Sequence, residues 1–248
     1  MNIGGNKMKT ACKSLLALGM ALSMLFALTA CDDGGLSKED ASKCIQVEMD
    51  TTYKGEFDGF LDYYSNMTKS DALDQYTNNL TGEVSNFLYM FGLDDPNGVE
   101  AYLSPSDGLV SRTEELYKEI YAKSSYEVQP AAKQDDGTYA VKVVVQPIDI
   151  LHQVYEASET YFADFFARYE EVDTDSMSEE EAMDWFVNTY AEDYYATLID
   201  LLESKVPTIG YLDDKSIVIQ VDMDDEYNVL VTDEDWMNLD KLIIDRNF

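Results

Sequence analysis

Apolar residues recur along most of this chain at helical spacing, and in two places the period shortens to two. From about Lys38 to Asn66, Cys44, Val47, Phe57, Leu61 and Tyr64 fall at broadly helical intervals, with Gly55 and Gly59 as weak points. Thr68-Lys69-Ser70-Asp71 has the form of a capping box, in which hydroxyl and carboxylate satisfy each other's free amides. Leu73, Tyr76, Leu80, Val84, Phe87, Leu88 and Phe91 follow on one predicted helical face. Asp94-Asp95-Pro96-Asn97-Gly98 is turn chemistry, after which Ser104-Pro105 or Ser106 opens a helix bearing Leu109, Leu116, Ile120 and Tyr121.

Alternation then takes over. Tyr126 to Ala132 and Tyr139 to Gln146 flank Asp135-Asp136-Gly137, and Asp-Gly between alternating runs predicts a hairpin. Val141, Val143 and Val145 share one face while Lys142 and Gln146 take the other, so one side of the strand meets water. After Pro147 the helical period returns from Ile148 with Leu151, Val154, Tyr155, Tyr161, Phe162, Phe165, Phe166 and Tyr169. Ser178-Glu179-Glu180-Glu181 is a second capping box, heading a helix with Phe186, Tyr190, Leu198, Leu201 and Leu202 towards its inner face. A second hairpin pairs Ser216 to Met223 with Tyr227 to Thr232 across Asp224-Asp225-Glu226, and Asp235 to Ile244 closes as a helix or an irregular tail. Helices, hairpin, helices, hairpin predicts an α+β fold, with helices on one face of a small antiparallel sheet built from hairpins at about 126–146 and 216–232. The alternative is a loose tandem of two halves split near Pro147; no residue-level repeat supports it.

The first thirty residues follow a different rule. Lys7, Lys9 and Lys13 precede an uncharged apolar run, Leu15 to Ala30, that ends in small residues, the layout of a secretory signal peptide. Its sixteen residues fall short of the ~20 that cross a hydrocarbon core as a helix. Leu28-Thr29-Ala30-Cys31 closely resembles the bacterial lipobox, which ends on the cysteine that is acylated before cleavage. The expected organisation is therefore a lipoprotein signal peptide over 1–30, a lipidated tether over 31–39 and one α+β domain over 40–248. Cys31 is the expected lipid attachment site, and two acyl chains at ~0.8 kcal/mol per buried methylene anchor a protein stably. That address is the outer face of a bacterial cell membrane.

Charge narrows the partners. The chain has 17 basic and 49 acidic residues; removing 1–30 takes three lysines and no acid, leaving 14 against 49, or −35. Such a surface repels phosphate backbones and anionic headgroups, so nucleic acid is a poor partner; it would suit cations, basic peptides or a cationic wall component, while solubility alone is a sufficient reason for the charge. At 46% apolar and 12% aromatic the chain can nonetheless bury a core. Once Cys12 leaves and Cys31 is acylated, Cys44 alone remains as a thiol. That rules out a disulfide framework and a multi-cysteine metal site, and Cys44 is expected as a small buried hydrophobe, with an intermolecular disulfide as the alternative.

The lipobox, the acidic Tyr- and Asp-rich helices, the segment Tyr126-Glu127-Val128 to Pro147-Ile148 and a closing hairpin ending in Asp235-Trp236 together resemble a group of uncharacterised lipoproteins from Gram-positive gut bacteria. Those proteins are similar in layout to cone-shaped folds of the nuclear-transport-factor-like class. The resemblance implies a curved sheet with helices packed against it around a pocket, and no particular activity. The long helical stretch from Ile148 to Lys205 between the hairpins departs from that layout.

Candidate chemistry is sparse. His152, the one histidine, is the only place for a triad or a Cys-His pair, and its position at a helix start suits packing or exposure better than catalysis. Asp173-Thr174-Asp175 and Asp222-Met223-Asp224 lack the glycine and distal glutamate of a calcium loop. Thirty aromatic residues invite a carbohydrate or peptide platform, but Tyr161, Phe162, Phe165, Phe166 and Tyr169 fall at core spacing. No phosphate loop, GxSxG or basic-aromatic patch is present, and no cofactor or metal is expected. The expectation is a monomeric, membrane-anchored binding or interaction module, with a cleft between sheet and helices for a small molecule, peptide or cell-wall ligand. Two alternatives are a pocket hydrolase or isomerase using carboxylate or Tyr groups, and a surface spacer. An enzyme should combine a concave site with a desolvated acid of raised pKa.

Overall fold

The computed structural model describes residues 26–27, 36–64, 67–93, 103–224 and 228–248. The helix expected from Lys38 begins as predicted, with Ser37 and Asp40 forming a reciprocal capping box at the head of α1 (Lys38–Met49). A π-helical turn, Asp50–Lys54, then runs into Gly55, whose φ of 65° is the left-handed conformation that ends helices at little steric cost to glycine. The chain restarts as α2 (Asp58–Tyr63), so one expected helix is two. Thr68 and Asp71 cap α3 (Lys69–Phe91) as predicted, and Ser106 heads α4 (Asp107–Tyr121). The face α3 buries differs slightly from expectation: Ala72 points inward and Leu73 is exposed. The predicted turn at Asp94 to Gly98 lies outside the described residues.

The first hairpin forms, with an interruption. Its leading strand is split into β2 (Ser125–Val128) and β3 (Ala132–Lys133), because Pro130 has no N–H to give the ladder. Both pieces pair with β4 (Tyr139–Gln146), and Gly137 takes the positive φ, 97°, that the turn requires. Helices α5 (Ile150–Tyr161), α6 (Ala163–Tyr169) and α7 (Glu179–Trp185) follow, the last capped by Ser178 and Glu181. A second π-helical turn, Phe186–Ala191, carries α7 into α8 (Glu192–Lys205). The second hairpin is β5 (Lys215–Met223) and β6 (Asn228–Val231); residues 225–227 of its turn lie outside the described residues. Thr232 then caps α9 (Asp233–Ile243), so the ambiguous C-terminal segment is a helix followed by a short tail.

The two hairpins share one antiparallel sheet. β4 pairs with β5 from Tyr139↔Val221 to Val145↔Lys215, joining the segments before and after Pro147. A two-residue strand, β1 (Phe26–Ala27), pairs with the outer edge of β6, giving the order β1-β6-β5-β4 with β2 and β3 on the far edge of β4. Tyr139, Val141, Val143 and Val145 on β4 and Ile219 and Val221 on β5 are buried under the helices, whereas Lys142, Val218, Gln220 and Asp222 face solvent. This is the α+β arrangement read from the sequence, with one covered face and one wet. The core between sheet and helices is continuous, and Phe60, Tyr64, Phe87, Tyr117, Tyr121 and Tyr195 are its largest enclosed rings.

Candidate functional site

Among the described residues, polar side chains gather inside the fold in three places and aromatic ones gather on its surface in one. The first interior cluster starts from Glu48, which shares the inner face of α1 with Ala41, Cys44 and Ile45 and is therefore carried into the core. Gln75 donates to Glu48 Oε2 at 2.8 Å and to Thr52 Oγ1 at 2.9 Å. The Tyr64 hydroxyl lies 3.1 Å from Cys44 Sγ and also supports Glu48. Burial pushes the Glu48 carboxyl up to about 7 against the hydrogen bonds from Gln75 and Tyr64, and burial likewise pushes the Cys44 thiol far above its ordinary range. Cys44 is thus an enclosed, protonated thiol, and such cysteines are inert.

The second cluster joins five elements. Glu83 occupies an inward position of α3 between Leu80 and Phe87, and Arg246 of the C-terminal tail pairs with it. The same guanidinium reaches Asp240 of α9 at 3.3 Å, and the Tyr53 hydroxyl donates to Asp240 across 3.3 Å. Burial alone would lower Arg246, but the charges of Glu83 and Asp240 outweigh it and hold the guanidinium firmly protonated. Burial raises Tyr53, Tyr117 and Tyr121, which stand as neutral phenols around the pair. Glu83 Oε2 and Tyr121 Oη are enclosed without a hydrogen-bond partner.

The third cluster contains His152. Its Nε2 is 3.8 Å from Asp245 Oδ1, while Lys215 donates to Asp245 Oδ2 at 2.6 Å and Asn247 donates twice to Oδ1. Phe248 packs its ring against His152, Tyr155 and Phe91. No Ser, Thr or Cys side chain is hydrogen-bonded to His152 among the described residues, so the geometry assembles a packed histidine and no nucleophile–base pair. Asp173 and Asp175 stand exposed around a 3-10 turn, Thr174–Ser176, and Asp222 accepts a hydrogen bond from the adjacent Met223 N–H.

On the surface, α6, α7 and the second π turn are held together by rings. Phe165 touches Phe162, Phe166, Tyr169, Tyr190 and Tyr194; Trp185 packs on Tyr169 and Tyr190; Phe186 stacks on Tyr190 at 5.6 Å and 17°. Only part of the aromatic run expected in the core is there. Phe162 and Phe165 are buried, but Phe166 is 51% exposed and Tyr161 41%, because no neighbouring element covers that side of the segment among the described residues.

The expected cleft between sheet and helices is filled. Two open depressions lie on the described surface, of about 200 Å³ at Leu36, Lys133, Tyr139 and Met223, and about 220 Å³ at Tyr126, Val144, Gln146 and Asp214. Neither touches Glu48, Glu83 or His152. The desolvated acid expected of an enzyme therefore exists, but neither depression opens onto it. The pocket implied by the nuclear-transport-factor-like resemblance is likewise not seen in the described interior. Cys31, the expected lipid attachment site, lies outside the described residues, as does the rest of the lipobox. Glu48, Glu83 and Arg246 were not picked out by sequence reasoning. The readable sign for the first two was a glutamate occupying an apolar position of an otherwise amphipathic helix.

Fold and interior together define the class: an α+β body with one covered sheet face, a sealed polar interior and an open aromatic surface. No family model matches the chain, and no curated protein is similar to it. Among solved structures it is similar to the crystal structure of ycdA from Bacillus subtilis, a protein assigned as a lipoprotein, at 13% identity over 84% of this chain, with a TM-score of 0.48. The chain spans 56% of that structure, and at this score the likeness carries no argument about role. No helix among the described residues is long and apolar enough to cross a membrane.

Proposed function

We propose that this chain is a lipoprotein of the outer face of the bacterial cell membrane, held by acyl chains on Cys31, whose folded body binds a partner and does not transform it. One observation carries the anchor: the thiol of Leu28-Thr29-Ala30-Cys31 follows immediately on an uncharged apolar run and precedes the polar Asp32-Asp33-Gly34-Gly35. Binding is favoured over catalysis because the raised carboxyl of Glu48 is enclosed and, among the described residues, neither surface depression reaches it. The anchor also sets geometry. Leu36, whose carbonyl accepts from Tyr139 at 2.5 Å, stands five residues beyond Cys31, and five residues reach at most ~18 Å. The end of the sheet that carries Leu36 and Tyr139 then stays within that distance of the lipid surface. Cleavage before Cys31 would also remove β1, leaving the edge of β6 free.

The test is Cys31→Ser in the full chain expressed in a bacterial host with radiolabelled palmitate. The unaltered chain takes up label and sediments with membranes; the variant loses both. Equal labelling and retention in the two would refute the anchor.

A further inference from the structure

We infer that the aromatic surface formed by α6, α7 and the second π turn docks a basic amphipathic polypeptide segment. The inference deepens the reading of the chain as a binding module and rests on it. Two independent features meet there. The first is apolar: Phe166 stands half out of the fold, and ring contacts run from it through Phe165 and Tyr190 to Phe186, and through Tyr169 to Trp185. From residue 159 to 190 only Phe162 and Phe165 are buried, so this surface is not a core that happens to be uncovered at one point. Aromatic residues clustered on a protein surface are the composition of binding hot spots. π-Helical turns, such as the one that presents Phe186 and Tyr190, recur at functional sites.

The second feature is charge. Residues 156–193 carry 13 acidic side chains and one basic, Arg168, which is already paired with Asp193. These 38 positions supply −12 of the −35 borne by the chain from Cys31 onward. A segment so charged selects among occupants. Nucleic acid and anionic lipid are repelled, and a second copy would set −12 against −12. A segment with Lys or Arg along one face and large apolar side chains along the other meets both requirements, with its apolar face over Phe166 and its cations among Glu170, Glu171 and the acids of α7.

The chain has two tryptophans, and Trp185 is in the patch. Trp236→Phe in the chain expressed from residue 31 onward, with Cys31→Ser, makes Trp185 the sole indole reporter. Titration with a synthetic Lys/Leu amphipathic helix should shift Trp185 emission saturably, with affinity falling as salt rises. Phe166→Ser should weaken the dissociation constant at least tenfold, as should Glu170→Lys with Glu171→Lys; all three side chains are exposed, so each variant should still unfold in one cooperative thermal transition. Oligolysine without leucines should bind at least tenfold more weakly. A Lys/Leu titration that leaves Trp185 unchanged, or affinities indifferent to these substitutions, overturns the inference. So does self-association by light scattering at the working concentration, or an equal response to phosphatidylglycerol vesicles. A chain that ignores the peptide but is stabilised by a sugar or wall fragment in a thermal-shift screen remains a binding module and loses only this surface.

Discussion

Replacing Glu48 with glutamine should change how stability depends on pH more than it changes stability itself. Folded Glu48 titrates near 7, raised by burial from an ordinary 4.5. Between those values the native chain holds a proton that the unfolded chain releases, so this carboxyl lowers stability as pH rises. Its favourable contribution is complete below about 4.5 and is lost as pH climbs through 7. At ~1.36 kcal/mol per unit, the shift removes about 2 to 3 kcal/mol between pH 5 and pH 8. Glutamine keeps the shape, still accepts from Gln75 and does not ionise. Urea unfolding of both chains at pH 5 and pH 8 gives four free energies; the difference between chains cancels the remaining carboxylates. The stability of Glu48→Gln relative to the parent should rise by about 2 to 3 kcal/mol from the lower to the higher pH. A difference that is the same at both pH values would mean that Glu48 is ionised in the fold, and the account of this cluster would fail.

Arg246→Met leaves Glu83 buried without its cation and should cost about 3 to 5 kcal/mol in chemical denaturation; adding Glu83→Gln should recover much of it. Gly55→Ala forces a Cβ to within 3.2 Å of the Tyr76 ring at a φ of 65° and should lower the unfolding free energy in the same assay by at least about 1 kcal/mol. Gly82→Ala, in the interior of α3 with nothing near its Cβ, should raise stability by roughly 0.5–1 kcal/mol in the same assay. Phe248→Ala removes the ring shared by Phe91, His152 and Tyr155, with an expected loss of about 2 kcal/mol in thermal unfolding.

Features set by a few neighbouring residues were legible in the sequence. The boxes at Thr68 and Ser178, the Asp-Gly turn and the alternation of Val141, Val143 and Val145 each form as read, since their partners lie within a few positions. Gly55 was flagged as weak and breaks the helix. Misreadings arise where the outcome depends on what arrives from elsewhere. Hydrophobicity favours Leu73 over the smaller Ala72, but it is Ala72 that the neighbouring elements cover. Core spacing placed Phe166 inside, yet spacing fixes only a shared helix face and cannot say whether another element will cover it. The aromatic surface was hidden for this reason. So were the ion-pair partners: Glu83 stood out of pattern in α3, but nothing local pointed to Arg246.

Those two residues are 163 positions apart. A polypeptide that emerges N-terminus first, from a ribosome or across a membrane, brings out the acid long before the base. Until the tail arrives, a carboxylate on the inner side of α3 resists desolvation, and Asp245 and Phe248 are also missing from their places. The Glu83 carboxylate therefore cannot gain its cation until residue 246 has been made.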